Sequence, residues 1–174
     1  MQEKVKALAE QYFKEVVEIR RHLHANPELS FEEFETSKYI CNFLDKNNIP
    51  YRAGYVKTGI VAHIKGKNPE SKVVALRADM DALPILETND VPYKSKNKGV
   101  MHACGHDVHT SSMMGAAKIL HQLRNEFEGT IKIVFQPGEE LLPGGASLML
   151  KEGALKKPDA ELIVGQHVYP QLEA

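Results

Sequence analysis

The sequence contains no tryptophan and only two cysteines, Cys41 and Cys104. Two cysteines make no disulfide framework, so stability has to come from a buried apolar core. At 174 residues the chain is long enough to build one, burying about two-thirds of the surface its unfolded form exposes. Charge of one sign is also lacking: 22 Lys and Arg against 23 Asp and Glu leave a formal net charge of −1. That balance argues against nucleic acid and anionic membranes, which select clustered basic side chains, and favours small or neutral partners. No run approaches the roughly 18 apolar residues of a membrane span, and MQEKVKALAE has no apolar leader region. A soluble, cytoplasmic protein is the expectation. Internal repeats, low-complexity tracts and linker-like stretches are absent as well, so one domain, or part of one, is expected.

What is present alternates between two periods. Apolar residues recur at helical spacing from Val5 to about His24, until Pro27 stops them, and again from about Glu32 to Lys46. The β-branched runs GIVAHIKG and KVVALRA follow, separated by the turn-forming GKNPES, and read as neighbouring strands that can pair as a hairpin. Thr110 to about Arg124 reads as a helix whose small residues, Ser111, Ser112, Gly115, Ala116 and Ala117, suit close approach to a sheet. TIKIVFQ then reads as a strand, GGASLMLKEGAL as a short helix and AELIVGQHV as a last strand. Strands alternating with helices predict an α/β fold, a mostly parallel sheet sandwiched by helices.

Polar clusters fall at the carboxyl ends of these strands, where α/β sheets place their sites. Asp79 and Asp81 follow one strand, QPGEE another and His167 a third, while MHACGHDVHT leads into a helix. Cys104 and His106 are two residues apart, which on a regular helix would aim them about 160° apart. They must therefore lie on a turn, which Gly105 permits, with Asp107 placed to cap the helix that follows. Thiolate and imidazole suit zinc. The adjacent carboxylates Glu139 and Glu140 repel unless a cation or a shared proton offsets them, and this suggests divided labour, one holding metal and one moving a proton. His167 is a further ligand candidate. His102 and His109 are expected to orient or pack, Asp79 and Asp81 to hold a ligating imidazole or close a turn. His22, His24, His63 and His121 read as packing histidines and Cys41 as a buried thiol. Gly144-Gly145 fits either a substrate-facing pair of amides or a plain helix entry.

RRHLHANPELSFEE, LRADMDALPI, MHACGHDVHT, FQPGEE followed by GGA, and GQHVYP, in that order, resemble the M20 metallopeptidase and amidohydrolase family. The nearest branch contains the N-acyl-amino-acid, hippurate and indole-acetyl-amino-acid amidohydrolases. The resemblance implies a dinuclear-metallohydrolase-like domain with two divalent ions, zinc first and manganese, cobalt or nickel as alternatives. Cys104 would bridge them, with His106, Glu140 and His167 as further ligands. Glu139 would be the general base, and Asp79 matches an aspartate beside the metals. Many wider-family members carry histidine two residues before that aspartate; here, as in the branch, it is Arg77. The implied reaction is hydrolysis of the amide of an N-acyl amino acid, with water activated by metal.

Family chains are roughly twice as long: after the GQHV segment they insert a lid or dimerisation domain, then return with one more metal-binding histidine. Residues 1–174 thus correspond to the N-terminal portion of the catalytic domain, expected to be inactive alone, with a homodimer through the lid as the implied assembly. The rival reading is a closed structural zinc site of Cys104, His106, Glu140 and His167, or an interaction module without catalysis; the paired carboxylates tell against it, because structural sites favour several cysteines.

Overall fold

The structure, a computed structural model, describes residues 1–169 and 171. Helices α1 (Gln2–Ala25) and α2 (Phe34–Lys46) precede strands β1 (Tyr51–Tyr55), β2 (Gly59–Lys65) and β3 (Val73–Asp79). Helix α3 (His106–Gln122), strand β4 (Thr130–Gln136), helix α4 (Gly145–Lys151) and strand β5 (Leu162–Gly165) follow. The five strands form one sheet in the order β1-β2-β4-β3-β5. β4 pairs parallel with β3, and β3 with β5, while β2 runs antiparallel to both β1 and β4. Four strands thus share a direction and β2 opposes them.

The expected hairpin between GIVAHIKG and KVVALRA does not form, because β4 lies between β2 and β3. The reason is burial on both faces: β2 and β4 read as near-continuous apolar runs, which suit the middle of a sheet covered on both sides. Ile60, Ala62, Ile64, Ile133 and Phe135 pack on one face with Ile19 and Leu23 of α1, Ile40 and Leu44 of α2 and Met113, Met114 and Ala117 of α3. Val61, Ala75 and Val134 face the opposite side, against Met149 of α4 and Ala154.

Strand β1 escaped the sequence reading. YRAGY is mostly exposed, and its register breaks at a bulge between Ala53 and Tyr55, so neither alternation nor an apolar run marks it. Of the small residues of α3, Ala117 packs toward the sheet as expected, while Gly115 faces the other way. A Cβ on Gly115 would stand 2.7 Å from Val16 Cγ2, so the close approach there is to helix α1. Among the described residues, no helix is long and apolar enough to cross a membrane.

Candidate metal centre

Three strand ends and one helix start converge beyond the same edge of the sheet. β3 ends at Asp79, whose carbonyl accepts a hydrogen bond from Thr110 Oγ1 at 2.6 Å and so ties the strand to α3. α3 begins at His106, four residues earlier than the sequence suggests, directly after Gly105 at φ 90°. That left-handed turn is what separates the directions of Cys104 and His106. It also makes room for the loop after β5, since a Cβ on Gly105 would collide with Val168. Asp107 lies inside the first helical turn and makes no cap; its carboxylate meets His24 Nδ1 at 2.7 Å and Arg20 Nε at 2.9 Å.

The donors expected from the sequence come together. Cys104, His106 and His167 form one group of ligand atoms within 4.8 Å of one another, and His106, Glu139 and Glu140 form another. Cys104 Sγ lies 3.4 Å from His167 Nε2. His106 is central. Its Nδ1 donates to the Asp81 carbonyl at 2.9 Å, with Asp81 Oδ1 at 3.3 Å, which leaves Nε2 as the free lone pair of the neutral ring. Among the described residues, that buried Nε2 has no hydrogen-bond partner. Around it stand Asp79 Oδ2 at 3.7 Å, Glu140 Oε1 at 3.8 Å and Glu139 Oε2 at 3.9 Å. A buried lone pair facing three carboxylates and a thiol suits a cation, and nitrogen, oxygen and sulfur donors together suit a zinc-like one.

The electrostatics carry the same imprint. Burial, reinforced by the nearby Glu140, Glu139 and Asp79, pushes the Cys104 thiol up to about 12. Such a thiol is neutral at physiological pH, and only a strong local positive charge makes it a thiolate. Burial alone would raise the Asp79 carboxyl, but the His109 hydrogen bond and the Arg77 guanidinium hold it below the usual range. Asp81 lies lower still, at about 2: burial opposes ionisation, and hydrogen bonds from His106, Ser30 and backbone amides overcome it.

His109 stands beside the cluster. It also falls within reach of Asp79 and His106 as a ligand group. Both its nitrogens are engaged, however: Nδ1 donates to Asp79 Oδ1 at 2.6 Å and Nε2 accepts from Val168 N at 2.9 Å. The ring thereby links the end of β3 to the loop carrying His167. Asp79 is held on its other side by Arg77 Nη1 at 2.7 Å. His102 packs: it is buried, neither nitrogen has a partner among the described residues, and burial lowers its pKa to about 4. The Gly145 amide donates to Gly138 O at 2.8 Å and the Gly144 amide to Leu141 O at 2.9 Å, so this pair serves the turn into α4.

Residues outside the expected set also shape the site. His24, read as packing, puts Nδ1 on Asp107 and Nε2 on Glu87 Oε1 at 3.0 Å, which requires both nitrogens to carry protons. The Asp107 hydrogen bond, chiefly, raises its pKa against burial. No sequence signal announces this, because Asp107 and Glu87 lie 83 and 63 residues away. A raised histidine pKa contributes stability that is fully present below the unfolded value of about 6.5 and is lost as pH rises through the folded value. Denaturant titration of wild type and His24→Ala should therefore differ by about 3–5 kcal/mol at pH 6, and the gap should narrow by pH 9. A gap that widens with pH would show the ring to be neutral.

Comparison with known proteins points to one family. The family model described as peptidase family M20/M25/M40 matches residues 75–174, more than half of the chain. An N-acyl-L-amino acid amidohydrolase of Geobacillus stearothermophilus is 44% identical over 171 residues, covering 98% of this chain and 45% of the relative. The IAA-amino acid hydrolase ILR1-like 2 of Arabidopsis thaliana is 49% identical over 162 residues, 93% of this chain and 36% of its own length. The crystal structure of the Bacillus subtilis YXEP protein, described as a dinuclear metal binding peptidase from the M20 family, matches with a TM-score of 0.88. It is 43% identical, and the match covers 94% of this chain and 45% of that one. The chain spans less than half the length of each of these relatives. It belongs to peptidase family M20/M25/M40.

Proposed function

We propose that residues 1–174 are the N-terminal portion of the catalytic domain of a metal-dependent hydrolase that cleaves the amide bond of N-acyl amino acids. The observation that carries this is His106 Nε2, buried, without a partner among the described residues and faced by Asp79, Glu139 and Glu140, beside the Cys104–His167 pair. Cys104, His106, Glu140 and His167 are the metal-holding residues of this reading, and zinc fits their mixed thiol, imidazole and carboxylate donors. A divalent ion, when bound, lowers the pKa of water toward about 7 and polarises a carbonyl. The amidohydrolase relatives support the substrate class. This reading also includes a lid domain, in the length beyond that matched here, and a homodimer through it.

The chain's own residues divide the rest of the work. Glu139 is the more open of the two glutamates, its side chain 41% exposed against 23% for Glu140. That exposure supports its role in this reading as the base that receives a proton from water and delivers it to the departing nitrogen. Asp79, locked between Arg77 and His109, cannot swing away, and fixes the carboxylate wall opposite His106. Asp81 holds His106 in the tautomer that keeps Nε2 unprotonated and facing the site.

The test is hydrolysis of a panel of N-acetyl-L-amino acids by the whole protein that carries these residues, stripped with a chelator and then reloaded with Zn²⁺ or Mn²⁺. Release of free amino acid should vanish on stripping and return on reloading. A reloaded protein that cleaves none of the panel and holds one ion in a closed four-ligand site would favour a structural zinc module instead.

A further inference from the structure

Glu33 is fully buried, yet the sequence reading gives it no role of its own beyond a place in the RRHLHANPELSFEE motif, and among the described residues it has no partner of opposite charge. It stands at the start of α2 but does not cap that helix with its side chain. Its carboxylate turns instead toward the loop after β4. Oε1 accepts from Gly138 N at 2.8 Å and from Phe31 N at 2.9 Å, and Oε2 accepts from Thr58 Oγ1 at 2.7 Å. Gly138 immediately precedes Glu139. On the other side of Glu139, the Glu140 amide donates to Asp81 Oδ2 at 2.9 Å. The N–H groups flanking the proposed base are thus both held by buried carboxylates, one from the start of α2 and one from the end of β3. Phe31, at φ 65°, adds a steric stop, since a Cβ on Gly138 would fall within its ring.

Burying a carboxylate is costly, and an apolar side chain would fill the same space at lower cost. Burial raises the Glu33 carboxyl above the usual range in spite of three donors. A packing role does not account for a carboxyl kept here, whereas a need for an acceptor opposite Gly138 N–H does.

We infer that Glu33 is a positioning residue of the hydrolytic site: by holding the Gly138 amide it fixes the backbone that aims Glu139 and Glu140 at His106. The inference rests on the roles proposed above for those two glutamates.

The test is made on the whole protein that carries these residues, with Glu33→Leu, Glu33→Asp and Glu33→Gln, reading site-resolved amide hydrogen exchange and Zn²⁺ affinity by competition with a chromophoric chelator. Leucine removes the acceptor and aspartate falls one methylene short. Both should speed exchange at Gly138 and Glu140 by about tenfold or more, as expected for losing a hydrogen bond to a charged group. Both should also weaken zinc by about 10–100-fold, while the β2–β4 ladder amides stay within about twofold of wild type, a margin well below that hydrogen-bond loss. Glutamine should preserve both readouts, since its amide oxygen accepts from Gly138 and Phe31 and its NH₂ donates to Thr58 Oγ1. Unchanged exchange at Gly138 in Glu33→Asp, or ladder amides that accelerate by the same factor, would overturn the inference. Should Glu33→Leu fail to fold, Glu33→Asp decides. A whole wild-type protein that takes up no zinc would overturn the hydrolase reading, and the exchange data alone would then decide whether Glu33 holds the loop.

Discussion

Glu139→Gln in the metal-loaded whole protein is expected to lower kcat by about a thousandfold, within the range that general acid–base groups supply, while the bound metal stays in place. Glutamine matches glutamate in shape and leaves Cys104, His106, Glu140 and His167 untouched. It removes the one function assigned to position 139, taking up a proton and giving it back. KM should change little, because nothing in the site makes Glu139 a binding group. Steady-state kinetics with metal content measured on the same preparation checks both halves. Near-normal turnover would end the assignment of Glu139 as base. Loss of metal together with activity would instead make it a ligand, exchanging its role with Glu140.

The second large effect is on stability. Gly145 opens α4 with its amide bonded to Gly138 O, and a Cβ at this position would lie far inside contact distance of the Pro137 carbonyl. The obstacle is backbone on both sides, so no side-chain rotation relieves it. Gly145→Ala should cost about 3 kcal/mol, the upper end of ordinary overpacking, and lower Tm by roughly 6–12 °C for a chain of this size. Calorimetry on the variant decides the matter: a Tm within about 2 °C of wild type, less than 1 kcal/mol would produce, would show that α4 can retreat from the loop freely. Because Pro137 and Gly138 lead directly into Glu139, zinc affinity should fall in the same variant.

These two residues differ in how far the sequence discloses them. The acidic pair could be picked out because adjacent carboxylates after a Pro-Gly turn are poor structural choices, and the structure brings both within 4 Å of His106 Nε2. The cluster around Cys104 and His106 was legible for a similar reason: its spacing forbids a regular helix, and Gly105 does adopt the left-handed turn. Strand order was not legible. Each apolar run shows that it is buried but not which neighbour buries it, and β4 separates β2 from β3 through contacts made after the intervening helix. The supports of the site were hidden for the same reason. Glu33 reaches Gly138 across 105 residues and His24 reaches Asp107 across 83, so each looks locally like an ordinary helix residue. Asp107 misled in the opposite way: its place near a helix start suggested a cap, and only the packing of α1 against α3 revealed its partners.

The position of β5 adds a thermodynamic consequence. Among the described residues, this strand is bonded along one edge only, to β3, and Leu162, Ile163 and Val164 on it are exposed. Like β1 it is an edge strand, yet the loop at its far end delivers His167. Any ion gripped jointly by Cys104, His106 and His167 therefore acts as a rivet for the outermost strand. Occupancy and fraying become linked equilibria, each ion captured drawing the strand population toward its docked state in proportion to its free concentration over its dissociation constant.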